Sequence, residues 1–531
     1  MQNKMLHDRT RDLLIYEGPL PDPAWLPEAK ALNGHWFAVP RTLHNCQVLR
    51  YKEFPVPPVI TDENYDWPRH PSIAHPYESQ KLAANLMALH PRCFNLSDMG
   101  TGKTMSSLWA ADWLMRENGD GFRALIVAPL STLHRVWGDA IFRKFMGRRT
   151  YEVLHGSAEQ RLAALAKPAD FYIVNCDGVG VGARTRHKFQ LDGFSKRLFD
   201  RRDIRLCIVD EASAYKDSST KRHRIARDVL GTRDYLWLLT GTPTPNAPTD
   251  AYGLAKLVNG ARGRSFTGFR METMYQLPSS TFKWFPKPDG YDKAKQLLSP
   301  AIRFDIRDVW DAPELTTQQR EVPLSGAQKA MMTDLKRDLE ATVASGAVIT
   351  AINEASVRTK FLQVAAGAVY DADHRAHGVD SSARIAELKD ILEQCPRKVI
   401  IFASFTSVLD RLHRELNKFA IVNGAVSEKE RSRIFSAFQD GDDIDGLLAD
   451  PATMAHGLNL YRGRTGIWYT PTDKTELYQQ ANKRMHRPGQ QFPVNIVQIV
   501  STPLEREIFR RLETNASLQG ALLDAVRKGE L

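Results

Sequence analysis

Residues 97–104 of this 531-residue chain read Ser-Asp-Met-Gly-Thr-Gly-Lys-Thr, a composition that suits a loop around nucleotide phosphates. Glycine lets backbone N–H groups approach anionic oxygens, and the helix expected from Met105 onward adds a favourable dipole. Lys103 is expected to reach the β- and γ-phosphates, and the Thr104 hydroxyl to bind Mg²⁺. The usual pattern starts with a glycine where this chain has Ser97. The predicted cofactor-binding residues of the loop are Gly100, Thr101, Gly102, Lys103 and Thr104.

Two adjacent acids, Asp210 and Glu211, follow the apolar run Leu206-Cys-Ile-Val. A strand-end Asp can hold Mg²⁺ directly or through water, and an adjacent Glu can polarise the attacking water. The same pair would also suit an ordinary solvated strand end. Its position roughly one hundred residues after the phosphate loop favours the catalytic interpretation.

Thr240 and Thr242 close another apolar run, Tyr235-Leu-Trp-Leu-Leu. Hydroxyl groups at a strand end can sense the state of a bound nucleotide through hydrogen bonds, which makes both residues candidates for coupling. The prolines that follow, Pro243 and Pro245, fit a simple turn equally well.

Two arginines, Arg484 and Arg487, stand three residues apart near the end of the chain. If this segment is helical, both side chains lie on one face. Two guanidinium groups there could clamp a γ-phosphate as arginine fingers. A basic, solvated helix face is the alternative interpretation.

These residues need elements that position them, and the chain has two blocks in which short apolar runs alternate with helical patterns. Such alternation is typical of a parallel sheet covered on both faces, so we predict an α/β fold with two parallel-sheet lobes. A short strand is predicted at Gln47–Tyr51, and helices are predicted around 326–346 and 351–367. The predicted divisions are an accessory segment 1–70, a first lobe 71–255, a mostly helical insertion and linker 256–380, a second lobe 381–502 and a helical tail 503–531.

The composition, 43% apolar and 25% charged residues, is that of a soluble globular protein. The net charge of +10 favours a polyanionic partner, although it is modest for this length. A membrane span is not expected, nor is a secretory signal in the N-terminal sequence. Five dispersed cysteines argue against structural zinc and disulfides, so we expect a reducing cytoplasm. The protein is expected to be a monomer.

Several segments, taken in order along the chain, carry a family resemblance. They are Pro76-Tyr-Glu-Ser-Gln80, Asp98-Met-Gly-Thr-Gly-Lys-Thr104, Pro129-Leu-Ser-Thr-Leu-His-Arg-Val-Trp137, Asp210-Glu-Ala, Thr240-Gly-Thr-Pro-Thr-Pro-Asn246, Ile302–Val309, His456-Gly-Leu-Asn-Leu460 and Arg484-Met-His-Arg-Pro-Gly-Gln490. Together they resemble the Swi/Snf-type DNA-dependent ATPases of helicase superfamily two, over most of residues 72–510. In that family the first glycine of the phosphate loop is commonly absent, which agrees with Ser97.

The resemblance implies two RecA-like lobes with ATP in the cleft, Mg²⁺ held by Thr104 and Asp210, and double-stranded DNA across both lobes. It assigns catalysis to Lys103, Asp210, Glu211, Arg484 and Arg487, adenine recognition to Gln80, coupling to Thr240, Thr242, Gly457 and Gln480, and DNA contacts to Ser131, Ala452 and Thr453.

Three departures from the family pattern stand at Ser213, at Lys216-Asp217 and at Lys483. Ser213 replaces a His that often follows Asp-Glu-Ala, which could alter the coupling of hydrolysis to motion. None of the three removes a predicted phosphate, metal or water ligand, so an active ATPase is expected.

The expected function is an ATP-driven motor that translocates on double-stranded DNA and remodels it or displaces bound protein. One alternative is a strand-separating or fork-remodelling helicase, and a second is a DNA-binding scaffold switched by ATP. A basic run from Arg184 to Arg205 could add phosphate contacts or could be a solvated loop. The compactness of the motor favours a bacterial or phage source.

Overall fold

The computed structural model describes residues 4–18, 22, 24–69, 76–145, 147–183, 190–276, 284–309, 313–344, 351–371, 373, 375–454, 460–487 and 489–514. The chain divides into two compact units, Met1–Val309 and Trp310–Leu531. The division falls inside the predicted insertion 256–380.

The first unit combines a small antiparallel sheet with a large parallel one. Its elements are β1 (Met5–Asp8), β2 (Leu13–Glu17), β3 (Lys30–Ala31), β4 (Trp36–Pro40), α1 (Leu43–Tyr51), α2 (Glu78–Leu89), β5 (Arg92–Asn95), α3 (Lys103–Asn118), β6 (Arg123–Ala128), α4 (Asp139–Phe145), β7 (Tyr151–Leu154), α5 (Ala158–Ala166), β8 (Phe171–Asn175), α6 (Gly193–Asp200), β9 (Ile204–Val209), α7 (Lys221–Val229), β10 (Tyr235–Leu239), α8 (Asp250–Asn259), α9 (Phe266–Thr273), β11 (Met274–Gln276), β12 (Trp284–Pro286), α10 (Gly290–Leu297), β13 (Ala301–Ile302) and α11 (Ile306–Val309).

The second unit is built on a six-stranded parallel sheet and also contains the two-stranded sheet β15-β16. Its elements are β14 (Leu315–Glu321), α12 (Gly326–Ala344), α13 (Ala351–Ala366), β15 (Ala368–Tyr370), β16 (Ala376–Gly378), α14 (Ser382–Gln394), β17 (Val399–Phe402), α15 (Thr406–Glu415), β18 (Phe419–Val422), α16 (Glu428–Asp440), β19 (Gly446–Ala449), β20 (Thr465–Trp468), α17 (Thr475–Asn482), β21 (Val494–Val500) and α18 (Pro503–Glu513).

The parallel sheet of the first unit has the strand order β13-β5-β10-β9-β6-β8-β7. Alternate residues of one strand enter different cores: Leu206 and Ile208 pack on one face, whereas Cys207 and Val209 pack on the other. A strand buried on both faces reads as a continuous apolar run, which is why the sequence predicts it. The predicted α/β class is therefore confirmed for this unit.

The six-stranded sheet of the second unit has the order β14-β21-β20-β17-β19-β18, and its neighbouring strands run parallel. It is also covered on both faces, since Ile400 and Phe402 lie in one core and Ile401 in the other. The helices predicted around 326–346 and 351–367 are α12 and α13. The insertion also supplies an edge strand to each sheet, β13 and β14, which the sequence patterns did not indicate.

The N-terminal segment is fused to the first unit. Its antiparallel sheet β1-β2-β4-β3 shares one core with a face of the large sheet. The strand predicted at Gln47–Tyr51 is wrong, because this stretch belongs to α1. The Thr42 side chain caps that helix by accepting a hydrogen bond from the Asn45 N–H, and Cys46 and Leu49 are buried on one side of it.

Within the described ranges, no helix has both the length and the apolar character needed to cross a membrane. All five cysteines lie in described positions, and all are free thiols.

Candidate nucleotide site

The phosphate loop runs from the end of β5 to the first residue of α3. Gly100 and Gly102 have φ of 87° and 85°, a left-handed conformation that glycine adopts without steric cost. The Lys103 Nζ donates hydrogen bonds to the carbonyl oxygens of Ser97, at 2.7 Å, and Asp98, at 2.8 Å. The ammonium group therefore lies over the loop, next to the backbone that would cradle phosphate.

Ser97, at the position of the absent glycine, is buried, and this residue and its two neighbours form hydrogen bonds with residues 302–304. Its Oγ accepts a hydrogen bond from the Phe304 N–H at 3.2 Å. The backbone N–H groups of Leu96 and Asp98 donate to the carbonyls of Ile302 and Phe304, at 2.8 and 2.9 Å. A serine hydroxyl thus ties the loop to the segment after β13, a role that the sequence pattern did not reveal.

Gln80, the predicted adenine reader, lies in the first turn of α2 directly against the phosphate loop. A Cβ atom at Gly102 would collide with the Gln80 Nε2, so a larger residue there would displace this side chain. The Gln80 Oε1 accepts a hydrogen bond from the Tyr77 N–H at 3.0 Å. Of the other loop residues, Thr101 is buried and its hydroxyl donates to the Asp98 carbonyl at 2.8 Å, while Thr104 is half-buried in the first turn of α3.

Asp210 and Glu211 follow β9, two strands away from β5 in the same sheet. The Asp210 Oδ1 accepts a hydrogen bond from the Glu211 N–H, and its Oδ2 accepts one from the Trp137 Nε1, both at 3.0 Å. Glu211 has φ of 47° and ψ of 51°, a left-handed conformation that costs energy for a residue with a Cβ. Such strain clusters at functional sites, in line with the predicted catalytic role.

The threonines predicted to couple the site stand at the end of β10, the strand between β5 and β9. Thr240 is fully buried, and its Oγ1 accepts a hydrogen bond from the Thr242 N–H at 3.2 Å. A Cβ atom at the intervening Gly241 would lie 3.5 Å from the Ser97 carbonyl oxygen and the Met99 nitrogen. The structure therefore brings the β10 end into contact with the phosphate loop.

The donor set of the first unit suits Mg²⁺, which accepts one or two protein oxygens together with water and substrate phosphate. Asp210 offers a carboxylate and Thr104 a hydroxyl, both at the carboxyl edge of one sheet. Among the described residues, no group of three or more His, Cys, Asp or Glu side chains is placed so that it could hold a metal ion.

In the second unit, Arg484 and Arg487 follow α17, which ends at Asn482. The helical arrangement considered from the sequence is wrong, because residues 483–487 form a turn and a bend. The Arg484 Nε donates to the Met454 carbonyl at 3.1 Å, and the Arg484 carbonyl accepts from the Leu460 N–H at 3.0 Å. Burial and the neighbouring Arg484 guanidinium lower the pKa of Arg487 to about 9. An anion beside the two guanidiniums would offset both effects.

The other predicted residues of the second unit occupy different positions. Gln480 is buried in α17 and donates to the Glu476 Oε1 at 3.0 Å. Ala452 and Thr453 lie in a single 3-10 turn, Pro451–Met454, after β19, where Ala452 is exposed. The Thr453 Oγ1 donates to the carbonyls of Val422 and Asp450. Gly457 falls outside the described residues.

The remaining predicted DNA contacts are in the first unit. Ser131 is half-buried in a 3-10 turn, Leu130–Thr132, at the carboxyl end of β6. The described part of the basic run is largely paired with acids: Lys196 with Asp200, Arg201 with Asp203, and Arg205 with Asp234. Arg184, Arg186 and Lys188 lie outside the described residues.

Comparison with known proteins adds an independent line of evidence. The family model of the SNF2-related domain matches residues 86–366, more than half of the chain, and that of the helicase conserved C-terminal domain matches residues 383–489. Among solved structures, the SWI2/SNF2 ATPase core of Sulfolobus solfataricus in complex with dsDNA covers 86% of this chain and 94% of its own, with 20% identity and a TM-score of 0.37.

Curated relatives differ widely in length. Protein p41 of Acyrthosiphon pisum secondary endosymbiont phage 1 is 28% identical over 453 residues, which cover 81% of this chain and 94% of the phage protein. The SWI/SNF-related matrix-associated actin-dependent regulator of chromatin subfamily A-like protein 1 of Xenopus tropicalis is 23% identical over 456 residues, which are 79% of this chain but only 43% of that protein. By its matched domains the chain belongs to the SNF2-related family and is an SNF2-family ATPase of the helicase–translocase type.

Proposed function

We propose that this protein hydrolyses ATP to translocate on double-stranded DNA, remodelling the DNA or displacing proteins bound to it. The observation that carries the proposal is the convergence of the phosphate loop, the Asp210–Glu211 pair and the Thr240 turn at one edge of the first sheet. Membership of the SNF2-related family and a net charge of +10 support DNA as the partner.

In the proposed reaction, the loop N–H groups and Lys103 hold the triphosphate while Gln80 contacts the adenine. Thr104 and Asp210 would hold Mg²⁺, which neutralises charge on the phosphate oxygens when bound. Glu211 orients and polarises the attacking water, which becomes bonded to the γ-phosphorus as the bond to the β-phosphate oxygen breaks.

The second unit contributes the charges that are missing from the first. We propose that Arg484 and Arg487 approach the γ-phosphate when the units close around ATP and stabilise the charge of the transition state. Burial, followed by the neighbouring Arg484 guanidinium, lowers the pKa of Arg487, and a phosphate anion beside the two guanidiniums would offset both effects.

Opening after hydrolysis would move one unit along the DNA relative to the other, by about 3.4 Å for a single nucleotide step. Ser131, Ala452 and Thr453 are the proposed backbone contacts, and Thr240, Thr242, Gly457 and Gln480 the residues that couple them to the nucleotide. The phage relative and the five free thiols support a reducing bacterial or phage-infected cytoplasm as the setting.

The experiment that tests this function compares ATPase rates with duplex, single-stranded and forked DNA and with RNA, beside triplex displacement from an intact duplex. We expect intact duplex to stimulate hydrolysis and to support triplex displacement. Glu211→Gln should lower kcat by roughly 10²- to 10⁴-fold while ATP binding persists.

Two outcomes would contradict the proposal. Stimulation confined to forked DNA, with strand separation and no triplex displacement, would indicate a fork helicase instead. Turnover that DNA fails to stimulate, and that survives Glu211→Gln, would indicate an ATP-switched scaffold.

A further inference from the structure

A rare helical geometry lies between the predicted DNA-facing turn and α4. Residues Leu133–Gly138 form a π-helical turn that directly continues the 3-10 turn Leu130–Thr132. Single π-helical turns are uncommon and frequently occur at functional sites, because the extra residue changes the direction of the side chains that follow. Here the turn directs Trp137 into the first unit, where its side chain is fully buried.

The buried end of that side chain meets the predicted metal ligand. The Trp137 Nε1 donates a hydrogen bond to the Asp210 Oδ2 at 3.0 Å, across 73 positions of sequence. The Asp210 Oδ1 accepts from the Glu211 N–H at the same distance. Each carboxylate oxygen thus has a fixed donor, and the two together set the plane of the carboxylate. Because each oxygen has more than one lone pair, both bonds leave capacity for a metal or its waters.

We propose that Trp137 is a positioning residue for metal binding: its indole N–H holds the Asp210 carboxylate in the orientation that accepts Mg²⁺. The proposal rests on the metal-binding role of Asp210 in the proposed function. An indole is suited to this task because its N–H only donates and a carboxylate oxygen accepts. Donors behind a ligating carboxylate commonly change metal affinity about 10- to 100-fold when they are removed.

The chain supplies a matched control in Trp237, on β10. This residue is also fully buried and belongs to the same core cluster, and its Nε1 has no hydrogen-bond partner among the described residues. Trp137→Phe and Trp237→Phe therefore remove similar volume from one core, but only the first removes a hydrogen bond to Asp210. A second probe, Trp137→benzothienylalanine, keeps the bicyclic shape and replaces the N–H with sulfur, so it separates the bond from the packing.

The measurement is a Mn²⁺ titration of the full chain bound to ADP, with free Mn²⁺ followed by electron paramagnetic resonance. Trp137→Phe and the sulfur isostere should each weaken Mn²⁺ binding about tenfold or more, whereas Trp237→Phe should stay close to the wild type. The affinity for ADP without metal should be the same in all four proteins, because the bond acts on the metal ligand alone. The Mg²⁺ concentration that gives half of the maximal ATPase rate should rise in parallel.

Equal Mn²⁺ affinities in Trp137→Phe, Trp237→Phe and wild type would overturn the proposal, as would a sulfur isostere that binds Mn²⁺ normally. Asp210→Asn separates this failure from that of the proposed function. If Asp210→Asn weakens Mn²⁺ binding and the Trp137 variants do not, only the positioning role is wrong. If Asp210→Asn also binds Mn²⁺ like the wild type, Asp210 is not a metal ligand, and the positioning role of Trp137 is wrong as well.

Discussion

The first and second units carry their predicted phosphate-binding charges on different kinds of backbone. In the first unit, Lys103 begins a 16-residue helix and Asp210 directly follows a buried strand, so secondary structure and side-chain hydrogen bonds place both groups. In the second unit, Arg484 and Arg487 lie in an irregular segment after a helix, where burial, followed by the Arg484 guanidinium, lowers the pKa of Arg487.

This difference indicates a division of labour. A cradle of backbone N–H groups and a lysine can bind phosphate without help, because its geometry is already formed. Two adjacent guanidiniums are unfavourable by themselves and become favourable against an anion, which suits groups that act on the transition state. We therefore expect the first unit to determine nucleotide affinity and the second to determine the rate of hydrolysis.

The largest expected effect is on the rate of hydrolysis, and it tests directly whether the two units have different roles. Arg487→Ala should reduce kcat by about 10³- to 10⁵-fold, the range found for arginine fingers, while ADP affinity changes little. Lys103→Ala should weaken ADP binding as well as hydrolysis. Calorimetric ADP titration and single-turnover hydrolysis measure the two effects, with Arg433→Ala, an exposed arginine in the same unit, as the control. Loss of ADP binding in Arg487→Ala would show that the second unit also determines nucleotide affinity.

The next effect concerns the stability of the second unit. Arg384 and Glu505 form a fully buried ion pair at 2.8 Å, and Arg384 also donates to the carbonyls of Tyr469 and Ile499. Arg384→Ala would leave a buried carboxylate without its cation, which should cost about 3–5 kcal/mol. Hydrogen exchange of α14 and β21 peptides in increasing urea measures this loss.

The control for that substitution is on the same helix. Lys389→Ala removes an exposed pair with Glu415 and should cost less than about 1 kcal/mol. ADP binding by the first unit should survive Arg384→Ala. If this substitution abolished ADP binding as well as destabilising the second unit, the two units would not fold independently.

A smaller effect is expected at the phosphate loop. Ser97→Ala removes the acceptor of the Phe304 N–H and should destabilise the first unit by about 1 kcal/mol. Ser107→Ala is the matched control, since that buried hydroxyl donates to the Thr104 carbonyl in its own helix and, within the described ranges, to no other residue. Urea denaturation compares the two variants. Equal midpoints would show that the bond between the loop and the β13 segment contributes nothing to stability.

The last expected effect is a pH dependence in the first unit, which appears only below neutral pH. Burial, followed by the nearby Arg50 guanidinium, lowers the pKa of His90 to about 4, and the His90 Nε2 accepts a hydrogen bond from the Arg50 Nε. In the unfolded chain the His90 side chain has a pKa near 6.5, whereas in the folded unit its pKa is lower. The neutral His90 ring therefore contributes to the stability of the first unit above pH 6.5, and this contribution is lost as the pH falls toward 4. The urea midpoint of the wild type should therefore fall more steeply over that window than that of His90→Gln. If the urea midpoints of the wild type and His90→Gln changed with pH in the same way, the lowered pKa of His90 would be contradicted.

Several features were predictable from the sequence because they depend on neighbours along the chain. The buried strands appear as continuous apolar runs, and the spacing of glycine and lysine in residues 97–104 predicts the phosphate loop. Local preference was misleading where packing decided the outcome. Gln47–Tyr51 looks like a strand, but the Thr42 cap and the burial of Cys46 and Leu49 make it helical.

The chain by itself therefore determined the fold class, the family resemblance and the inventory of the candidate site. Only the tertiary structure decided which distant groups meet. Trp137 reaches Asp210 across 73 residues, and Ser97 accepts from Phe304 across 207. Both contacts follow from the strand order β13-β5-β10-β9-β6, which brings separate strand ends to one edge. Apolar runs show that strands exist, but they do not specify which strands pair, and so the sequence leaves these contacts open.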